Sequence, residues 1–588
     1  VEKGLAVSLL WPWLSVTGSQ ILLFVLIPAW ALSMGRWRNA AEWFFAAAVA
    51  GVVSIACLGR ICNGREMDVS WVLGAWLAVW IGTGLLARWK FRNTTRLRWD
   101  GWLVAILLLA WVVRSIHPLQ TWALGQSDAY SHLGFLMNVL EHGRVANPDY
   151  PSAYAWVMAF PAWLWHGHPY WVARFGGAFW GLGLVLGVYV FLFQSKGRMA
   201  GLAAAALVAG CPLFLLLQKI GVGSFANQMG LMLIPASLWA YASGRRGWLA
   251  LTLGGLAVSV PMMLLHVLFL LGLLVLSERS GWRQKAWMFG LLAVSVAGLI
   301  LLSFSIPPAR GMMIASMLTG HYSLARQVDA NWLDVLRILL MDFLSIKRIG
   351  YGSCLLNSVA LLSTVLFLFA GIVGWRRSDS AWRIIGVWGL LTSLNVHVGL
   401  FQFTDYQREG WSLLIAMACG GGLVFDVLWH WRPSAGWRRF WAAGITVASL
   451  AGLILYPSHT LLAGPGESDI VKYLMSLDPE GTVLARPMST FRSGQGDVVR
   501  TLHPRVVHTV SDLAQVEGPV YFLRDHPPAT PEISPAMRYL QPRQIQAMEQ
   551  FCEQAEGENC RLEESLAGQS VRVERISDDL DVWTWEGQ

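Results

Sequence analysis

The stretch of this chain with the most chemical potential opens on a carboxylate and an imidazole four residues apart. Asp128 and His132 lie within SDAYSHLGFLMNVLEHGR at positions 127–144. Four-residue spacing puts both on one face of a helix, and Ser127 and Gly143 read as its N-cap and C-cap. A carboxylate beside an imidazole at a membrane–water boundary can take the proton of an incoming hydroxyl. A plainer role is also open: Asp128 favouring the helix dipole, with His132 as a polar surface residue. Asp149 precedes a Tyr150-Pro151 turn and reads either as a second acid or as a turn residue.

The elements that must hold these groups are set by composition. Of 588 residues, 55% are hydrophobic and 14% charged, with a mean hydropathy of +0.48. A soluble chain carries about a quarter charged residues, so this is a membrane protein. Apolar runs of roughly 20 residues, the length that spans a bilayer, recur near 8–33, 40–60, 69–87, 101–115, 170–193, 200–217, 228–243, 248–260, 262–277, 285–306, 353–374, 382–403, 411–430 and 438–457. The first is too long for the apolar core of a signal peptide and is read as a retained span. The run Tyr154 to Trp165 is too short to cross and is expected to be re-entrant or interfacial. Many of the 33 tryptophans, Trp30, Trp89 and Trp375 among them, flank these runs, where an amphipathic ring sits at headgroup level.

Sidedness follows from the basic loops. Arg88-Trp89-Lys90-Phe91-Arg92 through Arg98 is the strongest cytoplasmic anchor. The basic loops Lys196-Gly197-Arg198, Arg245-Arg246, Arg279 to Lys285, Arg376-Arg377 and Arg432 to Arg439 are expected to fall mostly on one side. About fourteen helices with both termini outside come close to satisfying the rule. The expected fold is therefore a mainly α, polytopic transmembrane bundle over 1–457, with long outer segments at 116–169 and 307–352. Over 458–588, strand-like runs at 481–485, 518–523, 570–574 and 582–585 alternate with helical patterns, which predicts a soluble α/β domain. From Pro465 on there are 11 Lys/Arg against 20 Asp/Glu, so this acidic domain masks a strongly basic membrane part. Cys552 and Cys560 fall in it, close enough to close a small loop in an oxidising compartment.

Other chemistries are excluded by pattern. No His/Cys cluster has zinc spacing, no Gly-rich loop has phosphate-loop form, and no Gly-x-Ser-x-Gly occurs. No basic stripe with interleaved aromatics marks a nucleic-acid partner. His266 and His397 stand inside apolar runs, where a polar group is costly and marks either function or a hydrogen-bonded packing site.

The 127–151 stretch, SDAYSHLGFLMNVLEHGR followed by NPDYP, resembles the first outer loop of the GT-C superfamily of membrane glycosyltransferases. It is most similar to the Asp-x-Tyr-x-His-Leu form of archaeal-type oligosaccharyltransferases and their bacterial polymer-building relatives. SDIVKYLMSLDPEGTVLARP at 468–487 is similar to the helix–strand opening of their outer domain. FTDYQREGWSLLIAMACGG at 403–421 resembles their late helix, which sets an arginine near the lipid phosphate.

The resemblance implies transfer of a sugar or glycan from a polyprenyl-phosphate or -diphosphate donor to a glycan, lipid or protein acceptor at the outer membrane face. By position it makes Asp128 the catalytic carboxylate with His132 beside it, and Arg408 the donor-phosphate ligand, since its fork pairs with phosphate oxygens. Arg310 and Lys219 are further cations on outer segments that suit phosphate or headgroups. It also implies a bacterial inner membrane with the C-terminal domain in the periplasm.

Two features depart from the pattern. Metal-dependent relatives carry a second acidic motif where this chain has Gln218-Lys219-Ile220-Gly221-Val222-Gly223-Ser224, and their Trp-Trp-Asp acceptor motif is absent. An inverting, metal-independent enzyme with no cofactor is expected, and a divalent metal has no support in the sequence. The rivals are a flippase for lipid-linked glycans and a non-catalytic subunit of a polysaccharide assembly.

Overall fold

The structure is a computed structural model that describes residues 2–35, 37–63, 65–90, 99–124, 128–145, 152–211, 225–278, 281–304, 353–398, 406–431, 434–455, 467–477 and 480–484, and then 502, 505–507, 518–525, 560, 564, 571–577 and 580–586. The chain forms two compact units. One comprises Val1–Ile116, Asn138–Gly221 and Phe225–Pro457; the other joins His117–Met137 and Val222–Ser224 to Ser458–Gln588.

Apart from residues within His117–Met137, which belong to the second unit, the helices up to residue 455 form the first unit, a helix bundle. Helices α1 (Glu2–Gln20) and α2 (Ile27–Leu32) flank a π-helical turn, Ile21–Leu26, and are followed by α3 (Ala40–Cys62), α4 (Val69–Lys90), α5 (Gly101–Gln120), α6 (Asp128–His142) and α7 (Ala153–Trp165). Next come α8 (Pro169–Phe175), α9 (Gly177–Ser195), α10 (Arg198–Gly210), α11 (Phe225–Ala242), α12 (Arg246–Ser259), α13 (Pro261–Ser277) and α14 (Trp282–Phe304). The last are α15 (Ser353–Arg376), α16 (Ser380–Val398), α17 (Tyr406–Trp431) and α18 (Ala435–Leu455). Local chemistry sets their starts. Asn39 accepts the Glu42 amide at 2.8 Å to cap α3, and Asp379 accepts the Ala381 amide at 3.0 Å to cap α16. Pro169 and Pro261 occupy first-turn positions, where a missing N–H costs nothing.

Among the described residues, six helices are long and apolar enough to cross a membrane: Leu9–Leu32, Ala40–Cys62, Val69–Trp89, Gly101–Gln120, Pro169–Ser195 and Trp411–Trp431. The expected fourteen spans go beyond these six. Helices α12 and α13 meet at Val260, and at about 1.5 Å per residue their 14 and 17 residues fall short of the roughly 30 Å hydrocarbon core. Helix α7 is also short, and Ala153 through Ala162 are all buried. Its first ten residues are enclosed by neighbouring helices.

The loops fall into two sets that pair among themselves. At the end carrying the basic loops, Lys196 meets Asp379 at 2.6 Å, Arg198 grips Asp100 at 2.5 and 3.0 Å, Arg245 meets Glu42 at 3.0 Å, and Arg383 meets Glu278 at 3.6 Å. At the other end, Arg144 meets Glu66 at 2.8 Å and Asn63 accepts the Val145 amide at 3.0 Å. Pairing by end is what alternating helices require. Exposed Arg377 and Glu141 sit at opposite ends. A cysteine at Glu141 is expected to react with an impermeant thiol reagent on intact cells, and one at Arg377 only after lysis. The reverse pattern would overturn the orientation.

In the second unit, helix α19 (Glu467–Leu474) buries Ile470, Val471 and Leu474 and leads into a five-stranded sheet. Its strands are β1 (Thr482–Leu484), β2 (Val506–Val507), β3 (Pro519–Asp525), β4 (Arg572–Ser577) and β5 (Leu580–Glu586), in the order β2-β1-β3-β5-β4. β1 runs parallel to β2 and β3, while β5 is antiparallel to β3 and β4. Leu484, Val520, Phe522 and Trp585 form its core. The α/β character and four strand positions match the sequence reading. β2, only two residues long, has no periodicity to reveal it.

Candidate functional site

Helix α6 starts at Asp128, as the sequence predicts, and ends at His142, just before Gly143. Gly143 has φ +63°, the left-handed C-cap conformation, and its amide returns to the Val139 carbonyl at 3.0 Å. A Cβ there would collide with the Met67 carbonyl oxygen. Gly143→Ala should therefore cost about 1–3 kcal/mol, seen as a lower unfolding temperature in detergent. An unchanged transition would contradict this cap.

The helix buries Ala129, Tyr130, His132, Leu133, Leu136 and Val139. His132 is 4% exposed and stands edge-on to Phe135, with ring centroids 6.2 Å apart. It is thus no exposed polar residue, which corrects that alternative. Burial pushes its imidazole down to about 4 from 6.5, so it is neutral at pH 7. A neutral ring leaves a nearby carboxylate basic, whereas an imidazolium would lower its proton affinity.

The same shift carries a stability consequence. Between pH 6.5 and about 4 the unfolded chain protonates this histidine and the folded chain does not. Stability is therefore full above 6.5 and falls as pH drops through that window, by up to about 3 kcal/mol. His132→Gln should flatten the acid-side decline in unfolding temperature. Equal declines in both proteins would refute this role.

The approach to α6 is fixed by hydrogen bonds inside the second unit. His117 Nε2 lies 3.2 Å from the Ala123 carbonyl, and the Ala123 amide donates to Thr121 Oγ1 at 3.1 Å. The Leu124 amide donates to the Tyr130 hydroxyl at 3.2 Å. The Trp122 amide donates to Ser468 Oγ at 2.8 Å, joining positions 346 apart in sequence. Sequence reading missed both partners. Tyr130 stands in the motif and was a legible candidate, but nothing local marks Ser468.

Arg408 lies in the first turn of α17, in the first unit, one turn before Ser412. Ser412 is 1% exposed, accepts the Trp388 indole N–H at 2.8 Å and lies 3.0 Å from His266 Nε2. His266 is thus a hydrogen-bonded histidine between α13 and α17. Buried Arg114, also unanticipated, reaches the Val208 and Ala209 carbonyls at 3.4 and 3.5 Å, where a cation complements the C-terminal end of α10. It fits because Gly181 has no Cβ to occupy its place.

Asp149, Lys219, Arg310 and Cys552 lie outside the described residues, as do Ser127 and the side chains of Asp128, Arg408 and His397. Cys560 is exposed with a free thiol. Of the candidate residues, the structure joins Asp128 and His132 on one helix, while Arg408 belongs to the other unit. Among the described residues no three His, Cys, Asp or Glu side chains form a metal-binding group.

Solved structures similar to this chain include ArnT from Cupriavidus metallidurans bound to undecaprenyl phosphate, at 12% identity and a TM-score of 0.49, over 82% of this chain and 97% of that one. The archaeal oligosaccharyltransferase AglB from Archaeoglobus fulgidus, in complex with an inhibitory peptide and a dolichol-phosphate, is similar at 12% identity and 0.46, over 76% and 72%. The apo oligosaccharyltransferase of Archaeoglobus fulgidus is similar at 11% identity and 0.44, over 74% and 71%. No protein-family model and no curated protein matches the sequence.

Proposed function

We propose that this membrane protein is a GT-C-type glycosyltransferase that moves a sugar or glycan from a polyprenyl-phosphate or -diphosphate donor to an acceptor on the outer face of a bacterial inner membrane. The observation that carries the reading is helix α6. It opens on Asp128, buries the Tyr130 and His132 of the same motif, and over residues 128–137 belongs to one compact unit with the C-terminal α/β domain.

In this reading the acceptor hydroxyl attacks the anomeric carbon from the side opposite the lipid phosphate. Asp128 takes the hydroxyl proton as the new C–O bond forms, and the bond to the phosphate oxygen breaks with its electron pair on the leaving phosphate. Arg408, with Lys219 and Arg310 as further cations, stabilises that developing charge. No cofactor is required, and the missing acid at 218–224 supports a metal-independent step. The anomeric configuration of the product, read by NMR across a panel of labelled donors and acceptors, tests inversion. Retained configuration would refute the single displacement, and activity lost in EDTA but restored by a divalent ion would refute metal independence.

A flippase for lipid-linked glycans is the second reading, favoured by the α12–α13 pair with its break at Val260-Pro261 and buried His266 beside it. Interrupted helices at membrane depth mark transport sites in many carriers. Movement of an intact labelled donor across vesicle leaflets would favour it.

A further inference from the structure

We infer that the C-terminal α/β domain holds the candidate catalytic helix in register through Ser468 and Tyr130, which makes both of them positioning residues for Asp128. This rests on the transferase reading above. Residues 121–124 follow helix α5, which ends at Gln120, and the chain must turn before α6 begins. Their backbone is tied at three points: the Ala123 carbonyl by His117, the Leu124 amide by the Tyr130 hydroxyl, and the Trp122 amide by Ser468 of the outer domain. Tyr130 and His117 are buried, at 3% and 2% exposure, and Ser468 sits in the first turn of α19, whose other face packs in the domain core.

Each tie has a distinct consequence. Tyr130 lies two residues into α6, so its bond to the Leu124 amide ties the end of the described approach to the helical turn that starts with Asp128. Ser468 then anchors that folded segment to a domain more than 300 residues away. A general base must sit within hydrogen-bond reach of the proton it removes, and small misplacements of such a group are costly in rate. A side chain opening a helix inherits the position of the backbone before it. The outer domain is, on this account, a structural part of the active site rather than a detachable acceptor module.

The test compares Ser468→Ala, Ser468→Thr and Tyr130→Phe in the full-length protein. Hydrogen exchange of the peptide covering Trp122 to Leu124 should accelerate in Ser468→Ala and Tyr130→Phe and return to the wild-type rate in Ser468→Thr. kcat should fall about 10- to 100-fold in the first two, with donor KM and unfolding temperature unchanged. In an Asp128→Asn background the same substitutions should have no further effect on rate, because the group they position is gone. Unchanged exchange, unchanged kcat, or an equal loss in the Asp128→Asn background would each overturn the inference. A wild-type protein inert toward every donor would refute the transferase reading instead, and the exchange measurement alone would still decide whether the clamp exists.

Discussion

Asp128→Asn is expected to slow glycosyl transfer about 10²- to 10⁴-fold while donor binding persists. Asparagine keeps the shape of aspartate and is itself a good N-terminal helix residue, so α6 should still form. What disappears is the basic carboxylate that would accept the acceptor's proton. The neutral, buried His132 one turn on is not positioned by charge to replace it, since an imidazole held down to about 4 is a poor base at pH 7. His132→Ala should act more mildly than Asp128→Asn, through lost packing against Phe135 and a shifted helix. An Asp128→Asn protein that unfolds at the wild-type temperature and turns over near the wild-type rate would remove the catalytic assignment.

Arg408→Ala should weaken donor use by roughly 10- to 150-fold, the equivalent of about 1.5–3 kcal/mol for a lost charge-assisted hydrogen bond. It lies in the first turn of α17, one turn before the buried Ser412, which meets Trp388 of α16 and His266 of α13. The Trp388–Ser412–His266 contacts lie deeper and are untouched by the substitution, so the bundle should keep its stability. Arg408→Lys should recover only part of the loss, because an ammonium cannot pair with two phosphate oxygens at once. Undiminished apparent affinity for the donor in Arg408→Ala would reject the phosphate role.

Much of the architecture was legible because its signals are local. Apolar runs, basic loops and first-turn prolines announce helices and their ends, and Gly143 announced the end of α6 because a left-handed cap selects glycine. The four longer strands showed as β-branched and aromatic runs. The short α7 was legible in length but not in its burial, since composition alone does not say which helices will cover it. The same limit applies to His132, whose burial depends on how α6 packs. The approach to α6 was illegible for another reason. The bond from Trp122 to Ser468 spans 346 positions, and a serine in a first helical turn is ordinary until its partner is known. Arg114 was hidden likewise, because only the absent Cβ of Gly181, on another helix, makes room for it.

The claim that this chain transfers sugar from a lipid carrier is tested most directly with the purified protein in vesicles. These would carry a doubly labelled polyprenyl-linked sugar, one label on the lipid and one on the sugar. The account predicts that the two labels separate: polyprenyl phosphate or diphosphate appears in step with glycosylated acceptor, and both stop when Asp128 is replaced by asparagine. Labels that stay together, whether the donor remains in place or crosses intact to the other leaflet, would contradict it.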